Sequence, residues 1–282
     1  MAYVISGFAD EYSAKFDEQL SGFNLLGIKN IELRFIDGEN VSKLTEEKVK
    51  EVKEKLFNAG IKVSAIGSPI GKITLDDDFL EHLKLAKNVF EIAKQLDCKL
   101  VRIFSFYFGK RKREECFNMV TDRLNALIEL ADSYGVKLCH ENEEALYGQS
   151  PEQCRELLEY FGGKLRCVFD MGNFLLGGYK PFEVAYPLLK NYIEYFHIKD
   201  ALKSGDIVPC GEGDAEIEKI LSAYKKENPD KEVFVSLEPH LVDFVGLNDL
   251  AAHDLKKKVT FANDKEAFSY AYKNFKKIIE NI

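Results

Sequence analysis

Eight short apolar runs recur along the chain, at residues 3–7, 28–35, 61–67, 100–106, 136–142, 164–170, 192–199 and 232–238, and helical spacing follows each one. The runs are rich in Val, Ile and aromatic residues, often apolar throughout, and far apart in sequence. These are marks of a parallel sheet covered by helices. The punctuation between them agrees. Ser13 stands where a cap would precede Phe16, Leu20, Phe23 and Leu26, which keep helical spacing up to Gly27. Thr45 opens a helix that Ala59-Gly60 closes, and further helices are expected at about 78–96 and 113–134. Ser150-Pro151-Glu152 and Pro181 open two more, Asp214 is read as the N-cap of a helix to 226, and the last covers about 264–279. Eight strand–helix units of this kind close into a (β/α)8 TIM barrel, of the α/β class, with the active site at the carboxyl ends of the strands. A doubly wound open sheet is the rival, but no Gly-rich dinucleotide fingerprint follows the first strand. No composition shift marks a linker, so residues 1–282 are read as one domain.

A net charge of −8 excludes a non-specific nucleic-acid binder, since phosphate contacts need clustered Lys and Arg. The six cysteines are scattered without a CxxC pair and several lie inside apolar runs, so they are read as reduced, buried thiols. The first strand begins at Tyr3, which leaves no room for a signal peptide, and no apolar stretch reaches membrane-spanning length. A cytoplasmic protein without a membrane partner is expected, and a homodimer is compatible with the sequence.

Four of the runs end alike. The fifth leads through His140 into Glu141-Asn142, and the sixth into Asp170-Met171-Gly172-Asn173. The seventh carries His197 before Ile198-Lys199-Asp200, and the eighth leads into Glu238-Pro239-His240. Strand alternation that turns Glu141 into the lumen turns His140 outward, and puts Tyr195 and Lys199 on the side of His197. Glu141, Asp170, His197 and Glu238 thus form three carboxylates and one imidazole on successive strand ends, a ligand set for one divalent metal. Hard oxygens with one imidazole suit Mn2+ or Mg2+, with Co2+ and Zn2+ as alternatives. A single acidic residue at a strand end is ordinarily a helix cap; four such ends in succession point to a metal.

Glu32, Arg34 and Arg102 share one parity on the second and fourth strands, and outward they would be charges trapped under helices. An inward cluster is expected, with Glu32 paired to Arg102. Lys72, in the loop Ser68-Pro69-Ile70-Gly71-Lys72, suits a substrate phosphate or carboxylate. Lys199 suits a substrate oxygen or Glu238, and His240 is a further polar contact. The Gly211-Glu212-Gly213-Asp214 turn carries two acids that repel phosphate, so helix capping is its expected role. His82 and His253 are expected in solvent. Phe8, Phe35, Phe104, Phe106, Tyr107 and Phe174 gather near strand ends and could wall off water.

The motifs IELR at 31–34, SPIGK at 68–72, HEN at 140–142, FDMGNF at 169–174, HIKD at 197–200, GEGD at 211–214 and SLEPH at 236–240 carry a resemblance over nearly the whole chain. The chain resembles the sugar phosphate isomerase/epimerase family of xylose isomerase-like TIM barrels. The resemblance implies that Glu141, Asp170, His197 and Glu238 bind the metal and that Glu141 and Glu238 also transfer protons. It implies a metal-dependent isomerase or epimerase of a small sugar, sugar phosphate or related ketone, working through an enediolate. Asn173 stands where several relatives place a substrate-contacting histidine; it can hydrogen-bond a hydroxyl but cannot act as acid or base. Arg102, Lys72, Asn173, Lys199 and His240 make up the expected substrate contacts. The alternatives are an inosose dehydratase-like lyase, an endonuclease IV-like hydrolase, for which the chain is poor in histidine, and a barrel that only binds.

Overall fold

In the computed structural model, which describes residues 2–244, 256–257 and 259–282, each apolar run becomes one barrel strand. The strands are β1 (Ala2–Gly7), β2 (Asn30–Leu33), β3 (Lys62–Gly67), β4 (Leu100–Ile103), β5 (Lys137–Glu141), β6 (Leu165–Asp170), β7 (Ile193–Ile198) and β8 (Glu232–Leu237). Every ladder is parallel, in the order β1-β8-β7-β6-β5-β4-β3-β2. The end strands β1 and β2 lie side by side, which brings the sheet round into a nearly closed barrel. The helices between are α1 (Phe16–Leu26), α2 (Glu46–Ala59), α3 (Phe79–Gln95), α4 (Phe117–Tyr134), α5 (Pro151–Tyr160), α6 (Met171–Leu176), α7 (Tyr186–Leu189), α8 (Ile217–Glu227) and α9 (Asp264–Asn281). This is the TIM barrel that the alternation of runs implies. No described helix is long and apolar enough to cross a membrane.

Local sequence explains most boundaries. Thr45 accepts a hydrogen bond from the Lys48 N–H at the start of α2, and Ser150 forms a full capping box with Gln153 at α5. α8 departs from expectation. It starts at Ile217, and the Asp214 carboxylate instead accepts the Lys203 N–H. The turn before it is organised by Asp200, whose carboxylate accepts N–H groups from Gly211, Gly213 and Ala215. A Cβ on Gly213 would sit 2.1 Å from Asp200 Oδ1, so the turn closes only on glycine. The GEGD stretch is thus a folded turn wrapped on a carboxylate. α6 was not expected at all: it begins directly after β6, with Asp170 Oδ1 accepting the Asn173 N–H.

His82 is a second departure. It is buried, and its Nε2 accepts the Gly71 N–H at 2.8 Å. Gly71 has a φ of 89°, and a Cβ there would lie 2.2 Å from the Phe104 carbonyl oxygen. The loop at 68–72 therefore folds down onto β4 and α3, and its buried amide needs an acceptor. His253 lies outside the described residues.

The register levels the strand ends. Asp170 stands beside His197 in the β6–β7 ladder, His197 beside Ser236 in β7–β8, and Glu141 beside Val168 in β5–β6. Buried apolar residues make up the core, while the lumen beneath the strand ends also holds buried polar groups, among them Glu32, Arg102, Ser6 and Ser64.

Candidate metal centre

The four strand-end residues meet. One donor atom from each of Glu141, Asp170, His197 and Glu238 lies within 4.8 Å of all the others, and all four residues are buried. A single ion with ligands at ~2.0–2.4 Å requires that spacing. The donor set fits in a second way. Asp170 Oδ2 and Glu238 Oε2 are buried and make no hydrogen bond. Lys199 Nζ is an ion-pair partner 3.0 Å from the first and 3.6 Å from the second, without a hydrogen bond to either. Buried carboxylate oxygens left this way are costly, and a cation coordinated between them removes the cost.

The imidazole is oriented by contacts on both nitrogens. His197 Nδ1 faces the cluster, 2.8 Å from Glu141 Oε1 and 3.3 Å from Glu238 Oε2. His197 Nε2 lies 3.1 Å from Glu32 Oε2, and Glu32 also accepts the Tyr195 hydroxyl at 2.8 Å. A carboxylate behind one nitrogen fixes the proton there and leaves the other free to ligate. Burial pulls the His197 pKa down, but the Glu141, Glu32 and Glu238 carboxylates outweigh it and hold it well above the usual value.

Each glutamate has one oxygen on the cluster and the other on a buried arginine. Arg102 Nη1 donates to Glu141 Oε2 at 2.9 Å, and Arg34 Nη1 donates to Glu238 Oε1 at 2.8 Å. Burial raises the Glu141 pKa, yet His197 and Arg102 bring it down to about 2. Burial likewise raises that of Glu238, while Lys199, His240 and His197 hold it well below the carboxylate range. Asp170 goes the other way, to about 6, because burial exceeds the pull of Lys199.

The expected pair of Glu32 with Arg102 does not form. Both side chains are inward and buried as parity requires, but β3 separates their strands and the Phe8 ring lies by Arg102. Arg102 turns to Glu141 on the adjacent β5, and Glu32 reaches across the lumen to His197.

Of the remaining expected contacts, Asn173, Lys199 and His240 lie beside cluster residues. Asn173 Nδ2 donates to the Asn142 carbonyl at 2.9 Å and lies 3.4 Å from Glu141 Oε1. Asn142 in turn clasps the Asp170 backbone through both its side-chain atoms. His240, at a φ of 51°, donates its N–H to Glu11 Oε2 and brings Nε2 to 3.4 Å from Glu238 Oε1. Lys72 Nζ sits 2.9 Å from Glu143 Oε1 and over the Phe104 ring. Three acids escape the sequence reading. Asp10 and Glu11, in the short turn after β1, bind Arg34 at 2.8 and 3.0 Å, and Glu143 binds Lys72. The available signal for the first two was the same one used elsewhere, acids just past a strand end. Among the described residues His140 points outward to Ser105 and His82 holds the loop, so only His197 and His240 reach the cluster.

Residues 24–257 match the model of the xylose isomerase-like TIM barrel family. The chain belongs to this family. Solved structures share the fold at low identity. An IolI protein with a bound zinc atom is 19% identical over 98% of both chains, with a TM-score of 0.73. A D-allulose 3-epimerase from Methylomonas sp. is 13% identical over 99% of this chain and 98% of its own, with a TM-score of 0.77. A probable 3-DHS dehydratase, AsbF from Bacillus anthracis, is 17% identical over 98% and 99%, with a TM-score of 0.73. No match was found among curated protein sequences. The xylose isomerase-like barrel thus accommodates a metal site and more than one reaction, and the chemistry of this member must be argued from its own side chains.

Proposed function

We propose that this protein is a metal-dependent isomerase or epimerase acting on a small sugar or related ketone. Glu141, Asp170, His197 and Glu238 would hold one divalent ion, Mg2+ or Mn2+ by the hardness of three carboxylates, with Co2+ or Zn2+ as alternatives. Such an ion acts as a Lewis acid on a carbonyl and acidifies the adjacent C–H. The observation that carries the reading is the matched pair of glutamates flanking one imidazole nitrogen. Each is held ionised, with one oxygen toward the cluster and the other on an arginine, so a carboxylate that can accept a proton stands on either side of the imidazole. One glutamate takes the proton from carbon; its return by the other to the opposite face of that carbon inverts the centre, whereas its return to the neighbouring carbon of the enediolate moves the carbonyl. Asn173, Lys199 and His240 border these carboxylates and hold substrate hydroxyls.

The test is isotopic. Incubated with a panel of ketoses in D2O and Mn2+, the protein should place deuterium on the carbon beside the carbonyl. Glu238→Gln and Glu141→Gln should each cut exchange by about 10²-fold or more, while part of the metal affinity survives. Unchanged labelling in both variants would remove the two glutamates from the reaction. Loss of water after labelling would assign a dehydratase instead.

A further inference from the structure

The outer wall of the barrel carries a groove of about 520 Å³ between α3 and α4, lined by Leu83, Lys84, Lys87, Ala126, Glu129 and Leu130. Leu80 stands three residues before Leu83, and Met119 seven before Ala126, so helical spacing carries the apolar floor on toward the start of both helices. Six large hydrophobic side chains are exposed among the described residues, and two of them, Leu80 at 69% and Met119 at 37%, belong to this one stripe. The polar edges are of opposite sign. Lys84 and Lys87 form the α3 edge, and Glu129 stands on the α4 edge. The lysines have only exposed acids of their own helix as partners, Glu81 at 2.6 Å and Glu91 at 3.8 Å, which are weak pairs. Among the described residues Glu129 makes no ion pair and accepts the Asn125 amide. The two helices run in the same direction, since each returns from one parallel strand to the next. Their levels match as well: the Tyr134 hydroxyl donates to Glu91 Oε1 at 3.2 Å, and one turn earlier on each helix Lys87 stands level with Leu130 and Glu129.

We infer that this groove is the interface of a two-fold homodimer, in which α3 of one copy lies over α4 of the other. A two-fold axis running along the groove produces that arrangement and keeps the facing helices parallel and at one level. Lys87 then faces Glu129 of the second copy, Glu129 faces Lys87 of the second copy, and the two apolar floors close on each other between them. An isologous contact has to be complementary to itself, and a basic edge, an apolar floor and an acidic edge in that order meet the condition. A foreign helix would require no such match between the groove's own two edges. The groove lies on the outside of the barrel, so the contact is independent of the chemistry at its mouth.

Sedimentation equilibrium of the full chain at low salt tests it. Wild type should dimerise with a Kd below about 100 µM. Leu80→Asp should weaken the dimer by about 10-fold or more, while the monomer keeps its stability, because Leu80 is exposed in the single chain and an acid suits the first turn of a helix. Lys87→Glu and Glu129→Lys should each weaken the dimer by about 10-fold or more, since each sets like charges face to face twice across the axis. Mixed in equal amounts, these two variants should pair with one another about as tightly as wild type does with itself, because every facing pair is then again a lysine with a glutamate. A variant that failed to fold could not be rescued in this way. A wild-type Kd above about 100 µM would overturn the inference, and so would a dimer that Leu80→Asp leaves unchanged. A mixture that associates no better than either variant alone would overturn the placing of α3 over α4.

Discussion

The Glu32 carboxylate lies 3.1 Å from His197 Nε2, across the barrel from its own strand, and thereby decides which imidazole nitrogen faces the cluster. With the proton held at Nε2, Nδ1 is the ligand. Glu32→Gln keeps the shape but offers an amide that can present either a donor or an acceptor, so the tautomer is no longer enforced. Metal affinity should fall by about 10–100-fold, read by calorimetric titration of Mn2+ into chelator-treated protein. The nitrogen-15 shifts of His197 should show mixed tautomers. Unchanged affinity with an unchanged tautomer would assign Glu32 to Tyr195 alone.

Arg34 is the counter-charge for three buried acids, and its guanidinium also covers the Phe8 ring at 4.1 Å. Arg34→Met keeps much of the apolar stem and strands Asp10, Glu11 and Glu238 together. Removing one partner from a buried ionic network costs about 3–5 kcal/mol, and the urea midpoint should drop accordingly. Glu238 should also lose its fixed outer oxygen, so catalysis should fall further than stability explains. An unfolding free energy within about 0.5 kcal/mol of wild type would show that the acids protonate or rearrange without penalty.

His82 gives the fold a sensitivity to acid. Burial, aided by Arg123, depresses its pKa to about 4, whereas the unfolded chain titrates near ~6.5. Between those values the unfolded state binds more protons, so stability rises with pH there and is lost as pH falls from 6.5 toward 4. His82→Gln retains an acceptor for the Gly71 N–H without the titration. The difference in unfolding free energy between pH 7 and pH 4.5 should be smaller in the variant than in wild type. An equal difference would mean that His82 escapes its pocket on protonation at no cost.

What the sequence determined by itself was whatever depends on a short period. The eight apolar runs set the strands, and Thr45 and Ser150 opened helices where local capping predicts. Two-residue alternation placed Glu32, Arg34, Arg102, Glu141, His197 and Glu238 in the lumen, and each of them is buried there. Convergence of the four strand ends then follows from the closure of any parallel barrel.

Tertiary structure alone decided the partners. Arg34 and Glu238 are 204 residues apart, and His197 and Glu32 165 apart; both pairs meet because barrel closure places β2 across from β7 and near β8. No local pattern distinguishes those pairings from the Glu32–Arg102 pair that the sequence also allowed. Burial of His82 and the Lys72–Glu143 pair depend on how the loop at 68–72 folds back over β4. Periodicity acts through the backbone and is written locally, whereas the choice among several inward charges is a competition in three dimensions, settled by distance and by which polar atoms would otherwise stay unpaired.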